Sequence, residues 1–436
     1  MPTRLRSQAE SFLVLRRNPL ELWGAPAYEI DIAEGSFLGR PQLLLNSPDA
    51  IRHVLLTNAE NYIRPESTRR VLSPILGDGL FLAEGEAWRH QRRTIAPALA
   101  PRTMPILAGH VTTAAAAAEE ALSRLQHRPL DLLPHLQSLA LQIAGQSMFS
   151  LEMGGFGAEL RALITQYGVN YAQPGLLDLL LPRAEATPLN RGRARFRAQW
   201  LDFLDRLIAA RAAQPASASA RDLYDLLAGA TDPETGATMP HGLLRDEIST
   251  LILAGHETTA VTLFWCLYLA ALYPGAQEAI AAEALAGGGL DSAAGLPVTR
   301  AHVDEALRLY PPAFLIIRQA VAADRIAGRA VAAGAMVVIS PWVLHRHRKL
   351  WANPDGFDPA RFGPGAAAVD RFAYLPFGAG PRICVGASFA LTEAVLVLAR
   401  LLRRFRVRLC GDGAVLPRGI VTTQPDRVVR FVVTER

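Results

Sequence analysis

The sequence predicts a mainly α fold with a small β region, on three observations. Residues 108–210 favour helix almost throughout, with breaks only at Pro129, Gly154-Gly155, Pro174-Gly175 and Pro182. Residues 243–273 and 387–404 are two further long helical runs. Strand-like segments are short and lie toward the two ends: 28–33 and 42–45 early, then 313–317, 326–330, 336–340, 405–409 and 428–433. Half of the 436 residues are hydrophobic and 19% are charged, which suits a large buried core. The formal charge is 45 − 40 = +5, and Lys349 is the only lysine. With no basic run, nothing in the charge pattern points to nucleic acid.

The early chain holds no signal peptide or anchor pattern, only a short apolar patch at 12–15 before Arg16 and Arg17. Residues 61–83, with Pro65, Pro74, Gly77 and Gly79, read as a long irregular and therefore functional segment. Trp88 and Arg92, four apart, share one helical face and offer two donors to a single anionic group. Residues 214–220 read as a Pro/Ser/Ala surface loop.

The longest run carries Ala254-Gly255-His256-Glu257-Thr258-Thr259. A glycine costs about 1 kcal/mol relative to alanine inside a helix, so Gly255 needs a reason. Threonine hydroxyls bonding back one turn bend helices, and the pair predicts a local opening with room for a small molecule. An acid beside an alcohol, Glu257 and Thr258, suits delivery of protons to oxygen. The most apolar stretch, 258–273, falls short of the roughly 20 residues that a membrane span needs and reads as a buried helix. After a glycine-rich loop at 287–295 comes the 298–310 helix, in which Glu305 and Arg308 are three apart and neighbours on its surface.

Three cysteines far apart, Cys266, Cys384 and Cys410, give neither a disulfide framework nor a zinc spacing, and predict a reducing, cytoplasmic setting. Cys266 reads as core and Cys410 as inert. Cys384 stands at the end of Phe377-Gly378-Ala379-Gly380-Pro381-Arg382-Ile383-Cys384-Val385-Gly386, a tight glycine-rich turn that opens the 387–404 helix. A helix N-terminus favours thiolate, and a thiolate so held is a good axial ligand for haem iron.

This ten-residue stretch resembles the haem-binding signature of the cytochromes P450, Phe-Gly-x-Gly-x-Arg-x-Cys-x-Gly, at every fixed position. The resemblance implies Cys384 as axial iron ligand, Phe377 shielding its sulfur, Gly378 in the loop, and Arg382, Trp88, Arg92 and Arg318 binding the propionates of haem b. Ala254-Gly-His-Glu-Thr resembles the family's oxygen-binding motif. By that likeness Ala254 and Gly255 line the dioxygen groove, Glu257 serves proton delivery and Thr258 donates a hydrogen bond to the dioxygen being cleaved. Glu305, Arg308 and Arg361 match the family's structural triad, and 167–190 corresponds to its mobile lid. Motifs in the family's order from Tyr28 onward imply one P450 domain over 1–436.

The implied reaction is monooxygenation, hydroxylation or epoxidation, of a lipophilic substrate in a pocket of Ala254, Phe314, Leu315, Ile317, Ile420 and Val421. No dinucleotide fingerprint is present, so electrons from NAD(P)H are expected through a separate ferredoxin and ferredoxin reductase, with Arg89, Arg93 and Arg404 as a landing site. A haem-thiolate sensor without turnover would share the Cys384 loop, but would not need Glu257 and Thr258. A peroxygenase is the third reading, and that acid and alcohol argue against it.

Overall fold

The computed structural model describes residues 8–215, 219–286, 290, 292–411 and 413–436. Parts of the 214–220 and 287–295 loops therefore lie outside the described residues. Helix accounts for 56% of the described residues, as expected for a mainly α fold.

The central helix, His241–Leu272, follows Pro240 and stops before Pro274, since neither proline can continue an interior turn. Every residue from 259 to 270 is buried, the mark of a helix enclosed on all sides. Leu132–Phe149 and Ala387–Arg404 pack against it. At 32 residues it is longer than the apolar stretch suggested, and by length and composition it could cross a membrane. With 67% of its most apolar window inside the protein, it is a core helix. Asp131 caps the neighbouring 132–149 helix, accepting the Leu133 N–H at 3.1 Å.

The β region is gathered in small sheets. The largest orders its strands as Ile32–Phe37, Arg40–Leu45, Met336–Ile339, Ile316–Ala320 and Tyr62–Ile63. Arg430–Glu435 pairs antiparallel with Phe405–Leu409, the hairpin-like alternation expected of the late chain. Pro417–Gly419 and Thr423–Pro425 form a separate hairpin.

Three local expectations are corrected. Residues 28–33 do not form one strand: Ala25–Tyr28 is a 3-10 turn started by Pro26, and the strand begins at Ile32. Residues 326–330 are two strands, Asp324–Ile326 and Arg329–Val331, joined by a two-residue turn at Ala327 (φ 47°) and Gly328 (φ 82°). The supposed loop 61–83 contains the helix Glu66–Leu76. Pro65 only precedes its first turn, and Pro74 falls in its last, where Ser73 Oγ donates to the Arg69 carbonyl at 2.6 Å.

The predicted triad is formed, with Glu305 and Arg308 at its buried centre. Arg308 and Glu305, both fully buried, form two parallel bonds of 2.7 Å. The remaining guanidinium protons go to the carbonyls of His345 (2.8 Å), Pro354 (2.6 Å) and Gly356 (2.8 Å). Arg361 joins Glu305 more loosely, at 3.5 Å. Removing one member of a buried pair strands the other charge, at a cost of about 3–5 kcal/mol. Glu305→Gln is therefore expected to lower the urea midpoint sharply, and Arg361→Leu to lower it less. Equal losses in the two urea melts would refute this ranking.

Candidate active site

The loop around Cys384 is shaped by backbone that only glycine accommodates. Gly378 and Gly380 both have φ of +72°. A Cβ on Gly380 would stand 1.8 Å from the Leu55 carbonyl oxygen, so this position is closed on steric grounds as well. Leu55 belongs to a π-helical turn, His53–Thr57, pressed against the loop. The loop closes on itself through the Cys384 N–H, which donates to the Phe377 carbonyl at 2.9 Å. Gly386 then caps the helix Ala387–Arg404, as the glycine pattern predicts.

Cys384 is exposed by surface area, while burial pushes its thiol up. A side chain both deep and open faces a space inside the molecule. Opposing the burial are the Gly386 N–H and the Arg92 guanidinium, both of which favour thiolate. Arg92 is itself lowered by burial and drawn back up by Cys384, and it donates to the Ile383 carbonyl at 2.8 Å.

One side of this space is bordered by arginines. Arg382 donates to the Ala83 carbonyl at 2.9 Å and to Glu84, and its guanidinium lies 4.5 Å from the centre of the Trp88 ring. Burial pushes Arg318 down to about 10, helped by the charge of Arg382. Burial likewise lowers Arg64 to about 9, with Arg318 and Arg382 adding to the fall. Among the described residues Glu84 is the only carboxylate acting on this cluster, accepting Arg64 Nη1 at 3.4 Å. Three guanidinia against one carboxylate leave the site short of negative charge. Arg64 and Glu84 had no motif to reveal them in the sequence.

The helix carrying Ala254 and Thr258 is tied to the Cys384 helix by Thr259 Oγ1, which donates to Glu393 at 3.2 Å. A Cβ on Gly255 would meet nothing within 4 Å, and Ala254 is exposed although Ile252 and His256 beside it are buried. The predicted opening of the helix is not observed: His241–Leu272 is continuous. Thr258 and Thr262 satisfy the carbonyls of Ala254 (2.6 Å) and Thr258 (2.8 Å) without breaking the ladder. Glu257 turns to two amides, Gln424 Nε2 at 2.6 Å and Gln137 Nε2 at 3.4 Å, and burial raises its carboxyl.

The six residues expected around a pocket do not share one environment. Phe314 is buried against Gly419 of the 417–425 hairpin, and Ile420 and Val421 are exposed at that hairpin's tip. Leu315 and Ile317 lean partly on a small cluster of Tyr28, Leu44, Val338 and Val343. Within the 167–190 segment, Leu176, Leu177 and Leu180 are exposed rather than packed into the core. It is clamped by Asp178, which takes two 2.9 Å bonds from Arg193. Arg89, Arg93 and Arg404 offer no free basic face. Arg89 is paired with Glu60 and Glu86, Arg93 with Asp232 and Glu234, and Arg404 with Glu120 and Glu435.

The family model of cytochrome P450 matches residues 31–427. This chain belongs to the cytochrome P450 family. It is 33% identical over 417 residues to cyclooctatin synthase of Streptomyces melanosporofaciens, covering 93% of this chain and 89% of that one. It is 30% identical to cyclooctat-9-en-7-ol 5-monooxygenase of the same organism, covering 91% and 86%. The crystal structure of the cytochrome P450DA heme domain superposes with a TM-score of 0.81 at 25% identity, covering 93% of this chain and 90% of that one. The chain is thus a P450 monooxygenase, an oxidoreductase of a family that uses haem iron, binds small-molecule substrates and normally draws electrons from redox partners. The residues present fit that cofactor: an accessible thiol for the iron, and an arginine cluster lacking the negative charge that two propionates carry.

Glu393, buried beneath this site, is pushed up to about 8 by burial, with Thr259 its one counteracting donor. An acid raised in the folded state costs no stability below the unfolded value of about 4.5, and the cost grows as pH climbs from there to about 8. Glu393→Gln removes that cost. Its urea midpoint relative to wild type is expected to improve between pH 5 and pH 8, and an unchanged difference would count against the buried, protonated carboxyl.

Proposed function

We propose that this P450 hydroxylates or epoxidises a lipophilic small molecule, with Cys384 as the residue whose thiolate would hold the iron of haem b and electrons arriving from NAD(P)H through a separate ferredoxin reductase and ferredoxin. The observation that carries the reading is an open thiol inside the protein, beside arginines short of negative charge. The haem iron, when bound, supplies activation of dioxygen and insertion of one oxygen atom into substrate. Arg64, Arg318 and Arg382 would hold the two propionates, with Trp88 stacked beneath Arg382 and Arg92 fixing the loop at Ile383. Phe377 shields the sulfur, and Gly378 sets the turn that presents it.

Across the space, Ala254 and Gly255 leave room for dioxygen. The Thr258 hydroxyl, anchored on the Ala254 carbonyl, holds the protons brought to that room. Glu257 supplies them: burial keeps its carboxyl protonated to higher pH than a free glutamate. Phe314 and the tip residues Ile420 and Val421 offer an apolar wall at the 417–425 hairpin, whereas Leu315 and Ile317 lean instead on the cluster of Tyr28 and Leu44. One relative is named for acting on cyclooctat-9-en-7-ol, and an apolar carbocyclic alcohol of that kind suits such a wall. A cytoplasmic setting and one P450 domain over 1–436 complete the reading.

Under carbon monoxide, the dithionite-reduced protein is expected to show the strongly red-shifted Soret band of thiolate ligation. Cys384→Ser is expected to lose it while the far-ultraviolet circular dichroism stays unchanged, and a variant that kept the band would remove Cys384 as ligand. In the reconstituted system, Glu257→Gln is expected to slow turnover about 100-fold. Product formation with hydrogen peroxide alone, at the same rate as with ferredoxin and reductase, would favour a peroxygenase instead.

A further inference from the structure

The carboxyl of Glu257 has an unusual set of neighbours for a half-buried acid. Its bonds come from two amides on two different elements, Gln424 on the strand Thr423–Pro425 and Gln137 on the helix Leu132–Phe149. The buried Thr422 hydroxyl lies beside them. No arginine, lysine or second carboxylate acts on Glu257 among the described residues. On its own helix the adjacent His256 is buried, and burial lowers it to about 4, so that it adds no charge near neutrality.

The strand that presents Gln424 is firmly seated. Trp265 Nε1 donates to the Thr423 carbonyl at 2.7 Å, and Thr423 Oγ1 donates to the Pro311 carbonyl at 2.6 Å. Asn18 grips the opposite strand, donating to Pro417 O at 3.1 Å and accepting the Gly419 N–H at 2.9 Å. Gln424 is therefore held in place at its backbone, and its side-chain amide reaches the Glu257 carboxyl. An amide is two-faced: its NH2 donates to a carboxylate, and after turning over its C=O accepts from a carboxylic acid O–H. A guanidinium or ammonium can serve only the carboxylate.

We propose that Gln424 is the positioning residue that keeps Glu257 oriented in both of its protonation states, so that the acid gives up and regains its proton without losing its partner. Gln137, at 3.4 Å, is the weaker second contact. The inference rests on the reading of Glu257 as the proton donor. Its further consequence is that the hairpin whose tip carries Ile420 and Val421 also sets the acid, joining the substrate wall and the proton supply in one rigid element.

The test compares Gln424→Leu, Gln424→Arg and Gln424→Asn. Leucine removes a bond that favours the charged form, which raises the Glu257 carboxyl further; arginine adds a cation and lowers it. The infrared carboxyl band of Glu257, identified by its loss in Glu257→Gln and titrated in the resting protein, is expected to move to higher pH with leucine and to lower pH with arginine. The falling alkaline limb of turnover is expected to move in the same two directions, with product formed per dioxygen consumed reduced in both. Asparagine keeps an amide but, one methylene shorter on a fixed strand, withdraws it from the carboxyl; it is expected to shift band and limb in the same direction as leucine, and it serves if either larger change fails to fold. If Glu257→Gln slows turnover but band and limb stay put in all three variants, the role of Gln424 is overturned. If Glu257→Gln leaves turnover unchanged, the reading of Glu257 as donor fails first, and the inference falls with it.

Discussion

The buried pairing of Arg308 with Glu305 is the interaction on which the site depends. Its strength comes from completeness: every face of the guanidinium is used, so that neither ion is left desolvated and alone. From it a chain of bonds leads to the thiol. Arg308 takes the His345 carbonyl, and the His345 ring bridges the Arg308 carbonyl at Nδ1 (3.2 Å) and the Leu375 N–H at Nε2 (2.8 Å). Those partners fix the tautomer, with the proton on Nδ1, and burial holds the ring neutral. The Leu375 carbonyl accepts from Gly378, and the Phe377 carbonyl accepts from Cys384. The thiol is positioned by backbone bonds whose far end is an ion pair out of reach of water.

The arginine cluster and the surroundings of Glu257 use opposite electrostatics. Around Arg382 the protein accumulates positive charge and bears the mutual repulsion of Arg64 and Arg318, an arrangement that makes sense only if an anion shares the site. Around Glu257 it uses neutral amides, which leave the proton affinity of the acid governed mainly by burial. A cation there would have fixed the carboxylate and emptied it of its proton. The first region is thus built to hold negative charge, the second to leave a carboxyl uncommitted to either protonation state.

Much of this was legible in the sequence, for reasons that particular residues make plain. The Cys384 loop could be read because backbone with positive φ demands glycine, which leaves Gly378 and Gly380 visible as letters. The triad was readable from the spacing of Glu305 and Arg308 together with the segment around Arg361. Arg64 and Glu84 were not, since their importance comes from convergence of segments far apart in the chain. Gln424 was hidden for the same reason, 167 residues from the acid it touches. Glu393 left a fainter sign, a carboxylate in the apolar run of the 387–404 helix, which only its buried bond to Thr259 explains. The helix Glu66–Leu76 was missed because prolines were counted as breakers wherever they fell, when their cost depends on the turn they occupy.

The contact between Gly380 and the Leu55 carbonyl has a consequence for recombination of this enzyme with its relatives. It is backbone against backbone, so no choice of side chain can relieve a mismatch there. A chimera that exchanges the first sixty or so residues imports a foreign path for the 53–57 turn, and an error of a few tenths of an ångström in that path is passed directly to the peptide plane four residues before the thiol. The seam between the N-terminal sheet and the cysteine loop is thus a poor crossover point, and blocks that keep residues 53–57 and 377–386 from one parent respect the way the molecule is assembled.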